Sequence, residues 1–339
     1  MRSTRDRWIA LQLGVAVIVV VLGIAVFGGV QANGRELATP SAKCLPSTKR
    51  VAGGHGLILP PYAVTSPLNA TIPADAAVDP SSSTFVQGIS DASGGQLVLS
   101  LGLWTVPVYY ADASTPRVRV PLTAYWAHGK ITAPVPIPTN ARPDPGADAH
   151  MVVVDRGADC EYDFFRAQQS SDGRWTAAWM NTIRLSSNGI FPKGNGARAS
   201  GFALLAGLIF PAELRRGEIR HALAFNYPFT KAGGPVKPAT SSDGASTIPA
   251  ALPEGVKVRL DPTLDLATLP LAPYERTIAR ALQVYGMYLV DHGGSVGLYA
   301  VNPISYAGAP YRYLVPEDVY PSLKGIPIDR LQVLLPPRR

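Results

Sequence analysis

Met151-Val-Val-Val-Asp155, Arg156-Gly-Ala-Asp159 and Cys160-Glu-Tyr-Asp-Phe-Phe165 follow one another without a break. The first is a buried-looking run of strand formers, the second a turn, the third another strand. A connection of hairpin length between two short strands argues for antiparallel pairing. Trp175-Thr-Ala-Ala-Trp179 with its flanks reads as a third strand.

The same pattern extends outward. Gln96–Leu101 alternates in part, as a half-buried strand does. Trp104–Tyr110 is rich in strand formers but contains Pro107, which suits an edge strand or a bulge. Arg117–Tyr125 alternates again, and His221–Tyr227, Val256–Leu260 and Leu298–Val301 read as later strands. Ser81–Ile89 suits a short helix capped by its serine. Pro211–Gly217 has proline at its start and glycine at its end, the asymmetry of a short helix. Pro273–Val290 carries apolar residues at helical spacing (Ile278, Ala281, Leu282, Tyr285, Leu289), with Gly293-Gly294 to close it. Gly201–Ile209 is apolar without a period and fits strand or helix. Residues 230–252 read as a long loop, a class often tied to function. With 32 Gly and 32 Pro dispersed over 339 residues, the expected fold is mainly β: an antiparallel β-sandwich or jelly roll with a few peripheral helices.

Residues 1–7 hold Arg2, Arg5 and Arg7 against Asp6, and residues 8–30 are apolar but for Gln12. As a helix this stretch would span about 34 Å, enough for a hydrocarbon core of about 30 Å. It shows no polar stripe, and the arginines favour a cytoplasmic N-terminus. A single transmembrane signal anchor at the cell membrane is therefore expected, with a stalk over 31–56 and an extracytoplasmic β-rich domain over 57–339. Cleavage after Val30-Gln31-Ala32 is the competing reading, which would make the protein secreted; the apolar run is long for a signal peptide. Either way the remainder is exported. Cys44 and Cys160 are then free to form one disulfide, or to stand as two thiols.

The net charge is +7. It favours acidic envelope polymers or polysaccharides as partners through long-range attraction. No dense Lys/Arg run interleaved with aromatics points to nucleic acid. No serine-esterase elbow, phosphate-binding loop or dinucleotide fingerprint is present, and no cofactor is implied.

Five segments are familiar together: Asp148–Asp155, Cys160–Phe165, Ala197–Leu208, His221–Phe225 and Leu252–Pro262. They resemble a group of exported actinobacterial proteins over roughly residues 60–305. The resemblance implies export and a lectin/glucanase-type sandwich, and carries no activity with it.

Glu161 and Asp163 lie two apart on one strand and so share a face. Such a pair can supply the acid and the nucleophile or base of glycoside hydrolysis. A glucanase strand continues with a third acid, where this one has Arg166. The bland alternative is a solvated face or a pair bonded to arginines. Asp148, His150 and His221 form a second group, with His150 and His221 at the starts of strands that could be neighbours. It suits a general base, or simply hydrogen-bonded histidines, and no HxH or HxxxH spacing supports a metal. Arg198 could clamp a uronate carboxylate, or sit in a salt bridge at the edge of the core. Trp175, Trp179 and Tyr227 could stack on sugars, or be core. The leading expectation is a membrane-anchored glycoside hydrolase acting on a cell-envelope or environmental polysaccharide; the alternatives are a non-catalytic carbohydrate-binding module and a structural envelope protein. The hydrolase predicts the acids, the histidines and Arg198 converging in one cleft; a lectin-like module predicts exposed aromatics on a shallow face with the acids elsewhere; a structural protein predicts Glu161 and Asp163 scattered or salt-bridged.

Overall fold

The computed structural model describes Cys44 and residues 60–336. The anchor expected over 8–30 lies outside the described residues, as does the stalk apart from Cys44. Among the described residues no helix is long and apolar enough to cross a membrane.

These residues form a mainly β fold of fourteen strands with three α-helices. The hairpin is present as read: β5 (Met151–Asp155) and β6 (Cys160–Phe165) pair antiparallel, Val154 opposite Glu161 and Val152 opposite Asp163. β6 then pairs antiparallel with β9 (Trp179–Arg184). The first edge of this four-stranded sheet is β2 (Val108–Ala111), which begins just after Pro107. Proline has no N–H for a ladder, which suits it to the entry of an edge strand.

The larger sheet has six strands. Across it run β1 (Val98–Ser100), β13 (Gly297–Tyr299), β10 (Leu223–Tyr227), β12 (Met287–His292), β11 (Lys257–Leu260) and β14 (Leu331–Val333). The purely antiparallel sandwich expected from the sequence is corrected here. β2 with β5, β1 with β13 and β10 with β12 are all parallel. Parallel neighbours need long crossovers. The one from β10 to β12 carries β11 and helix α3 (Pro273–Val284). Two small ribbons, β3 (Arg117–Val118) with β4 (Val135–Pro136) and β7 (Gln168–Gln169) with β8 (Trp175–Thr176), complete the strands.

Helix α3 ends six residues earlier than its spacing predicts. Gly286 adopts φ 74° and stops it, and Met287–His292 becomes a central strand. Met287 and Leu289 face one core and Tyr288 and Val290 another. A strand buried on both faces lacks alternation, so its apolar residues passed for one more helical turn. Helix α1 (Ser82–Ser93) forms without a side-chain cap from Ser81. Helix α2 (Pro211–Arg216) forms as expected and ends at Gly217 in the left-handed region.

The layers follow from three cores. One packs α1 and α3 on the outer face of the six-stranded sheet. A second lies under the outer face of the four-stranded sheet and its ribbons. The third is shared by the inner faces of both sheets, and Phe202–Phe210 runs through it. A disulfide joins Cys44 to the first residue of β6, Cys160, across 116 positions of sequence.

Candidate functional site

Residues 201–210 are buried throughout and form neither helix nor strand. Buried backbone must find hydrogen-bond partners, and a segment without a ladder must find them elsewhere. Ile209 N–H donates to the Tyr299 carbonyl and the Ala224 N–H to the Gly207 carbonyl, which attaches the segment to the six-stranded sheet. Elsewhere the partners include side chains, those of β6 among them. Asp163 Oδ2 accepts the Leu204 N–H at 2.8 Å, and Glu161 Oε1 accepts the Leu205 N–H at 3.0 Å. Arg198 Nη1 donates to the carbonyls of Ala203 at 3.2 Å and Ala206 at 3.5 Å. Glu213 Oε2 accepts the Phe210 N–H at 3.0 Å.

Glu161 and Asp163 do share a face of β6, as period-two geometry requires, and it is the inner one. Both are fully buried. The other Glu161 oxygen accepts the Tyr62 O–H at 2.6 Å. Burial, and then the adjacent Glu161 carboxylate, hold Asp163 well above the usual carboxylate range. Burial raises Glu161 too, against contacts from Asp163, Tyr62 and the Leu205 N–H. Asp163 Oδ1 is buried with no hydrogen-bond partner among the described residues.

Arg198 is 2% exposed. Its Nε lies 3.8 Å from Asp291 Oδ2, and its guanidinium stacks 4.7 Å from the Tyr299 ring centre. Burial raises Asp291 well above its ordinary value, with Arg198 opposing. The imidazole of His150 is tilted against Phe165 with ring centres 5.7 Å apart. Burial, then the charge of Arg198, bring it down to about 3, so it is neutral. Asp148 is half-buried beside Arg166; burial raises it and Arg166 opposes. Asp144 repeats the theme nearby, taking the N–H groups of Trp104, Thr105 and Gly146 and the Asn302 amide.

The remaining expected residues do not join this cluster. β5, which follows His150, and β10, which follows His221, belong to different sheets. His221 Nε2 is 3.1 Å from Glu213 Oε1, and its Nδ1–H donates to the Ala222 carbonyl at 3.0 Å. Burial pulls its pKa down, but Glu213 and that carbonyl outweigh this and raise it. Trp175 and Trp179 fall on separate strands with Ala177-Ala178 between them, which removes the shared parity expected of them. Trp175 is core, and Trp179 is half-buried with its indole N–H on the Asn195 carbonyl at 3.2 Å. Tyr227 is buried, its O–H donating to the Ala250 carbonyl at 3.1 Å. These three line no common groove. Arg198 is turned inward and presents no fork to solvent. Among the described residues no group of His, Cys, Asp or Glu has the arrangement of a metal site.

The sequence reading missed Tyr62, Asp291 and Glu213, whose roles depend on distant contacts. It also missed Tyr125 and Trp126. These are 85% and 50% exposed, with ring centres 4.8 Å apart, edge to face. Their turn is pinned by Ala127 N–H to the Ala124 carbonyl, Ala124 N–H to the Ala178 carbonyl, and the buried Ala127 methyl. Two large aromatics in succession at a turn were the available signal.

No protein-family model, curated protein or solved structure matches the chain.

Proposed function

We propose that this chain is a non-catalytic glycan-binding protein of the extracytoplasmic face, held at the membrane by residues 8–30. The observation that carries the reading is the exposed Tyr125–Trp126 pair on a turn whose backbone is pinned. Flat amphipathic rings held outward give contact area at little entropic cost, and they suit the C–H faces of sugar rings. His128 and Lys130, both exposed on the same turn, supply polar edges for hydroxyl groups. The burial of Glu161 and Asp163 supports binding over hydrolysis. An acid that protonates a glycosidic oxygen must reach it within hydrogen-bond distance, and these two are enclosed by the segment they hold.

The test uses the full chain in detergent micelles against neutral and acidic polysaccharides and purified cell wall. Binding without release of reducing ends is expected. Tyr125→Ala/Trp126→Ala should weaken it at least tenfold, and Glu161→Gln should leave it unchanged. Reducing-end release that disappears in Glu161→Gln would establish the hydrolase instead.

A further inference from the structure

Helices α2 and α3 and the connection 261–272 enclose an open groove of about 780 Å³, within the size range of ligand sites. Leucines and prolines, among them Leu214, Leu271 and Pro262, form its apolar lining. Four arginines surround it: Arg215 and Arg216 from α2, Arg276 and Arg280 from α3. Asp265 is the one carboxylate in the lining, and it accepts the Ala267 N–H.

The charges in this lining are unbalanced, four arginines against one aspartate. Arg174, Arg184, Arg198, Arg220 and Arg330 each have a carboxylate partner. Among the described residues none of the four groove arginines is in a salt bridge of that kind. Arg215 and Arg216 end a helix, where the dipole favours cations. Arg276 stands in the first turn of α3, where the dipole disfavours it, and Arg280 is a like charge one turn on. The only acid of α3, Glu275, is turned inward to accept the N–H groups of Ala272 and Gly325. Three guanidiniums are also held in place by neutral partners, Arg280 donating to the Gln283 amide oxygen at 3.4 Å. Arg276 donates to the carbonyls of Leu266 and Leu269, and Arg215 to that of Pro310. Four guanidiniums outside any salt bridge, three of them held by neutral partners around an apolar floor, make a receptor for planar oxyanions carried on a partly apolar ligand.

We propose that this groove binds an acidic polysaccharide, with uronate carboxylates between the α2 and α3 arginines and sugar rings against the leucines. It rests on the glycan-binding reading above and adds the charge of the ligand and a second place of contact.

The experiment measures binding of the full chain in micelles to polygalacturonate, with dextran as the neutral polymer and polyphosphate and anionic vesicles as other anions. Polygalacturonate should bind, and should weaken as salt rises. Arg216→Gln/Arg280→Gln, which leaves the carbonyl contacts of Arg276 intact, should weaken it at least tenfold and flatten the salt dependence. Binding of neutral glycan should not change. The proposal is overturned if that variant binds polygalacturonate as the wild type does, if neutral and acidic polymers lose affinity equally, or if polyphosphate or vesicles bind more tightly. Intact polygalacturonate binding with no neutral-glycan binding would overturn the Tyr125–Trp126 reading alone and sustain the groove.

Discussion

The Glu161 carboxylate accepts the Leu205 N–H at 3.0 Å, joining residues 44 positions apart. With Asp163 doing the same for Leu204, the acid pair on β6 fixes the irregular core segment to the four-stranded sheet.

Glu161→Ala should therefore destabilise the protein by about 3 kcal/mol or more. It removes the acceptor for Leu205 and Tyr62 and strands Asp163 without its partner. Glu161→Gln keeps an acceptor and should cost about 1 kcal/mol. Denaturant unfolding of both variants measures the difference. Equal losses would mean that charge, not the hydrogen bond to Leu205, is what matters.

Two buried groups give stability opposite dependences on pH. His150, at about 3 when folded against an ordinary 6.5, contributes stability that is present above about pH 6.5 and is lost as pH falls toward 3. Glu254 is raised from 4.5 to about 7, chiefly by burial, with Ser242 close enough to oppose the shift without full hydrogen-bond geometry. Its contribution is present below pH 4.5 and is lost as pH rises through 7. Each slope is at most about 1.4 kcal/mol per pH unit. Unfolding free energy measured across pH should have a shallower acid limb in His150→Gln and a shallower neutral limb in Glu254→Gln.

Reducing the Cys44–Cys160 bridge frees a loop of 116 positions. Loop-closure entropy for that length predicts a loss of roughly 4–5 kcal/mol. Cys44→Ser/Cys160→Ser should unfold at correspondingly lower denaturant, and reductant should then have no further effect on it.

Gly207 takes φ 76°, and a Cβ there would stand 2.4 Å from the Ala224 backbone nitrogen. That nitrogen donates to the Gly207 carbonyl, so the two backbones cannot separate without losing the bond. Gly207→Ala combines left-handed strain with overpacking and should cost about 3 kcal/mol or more. A variant that melts within about 2 °C of the wild type would show that this contact is dispensable.

Much of the local structure was legible. The β5–β6 hairpin announced itself through two strand-like runs around Arg156–Asp159, and α2 through Pro211 and Gly217. The helix ending at Val284 was overextended because Tyr285 and Leu289 continue a helical spacing that Gly286 interrupts. Tyr227 and Trp175 suit a core more often than a sugar, and composition alone does not separate the two; the structure places both in the core.

The sequence by itself determined that Glu161 and Asp163 share a face, because alternation along an extended backbone is a property of neighbouring residues. Tertiary structure alone decided what that face meets. Leu204 and Leu205 are more than forty positions away and Tyr62 is 99 away on the other side. Local pattern cannot choose between a solvent cleft and a buried segment with unpaired N–H groups. That choice rests on long-range packing, which here brings a helix-free, strand-free run between two sheets and leaves its hydrogen bonds to carboxylates.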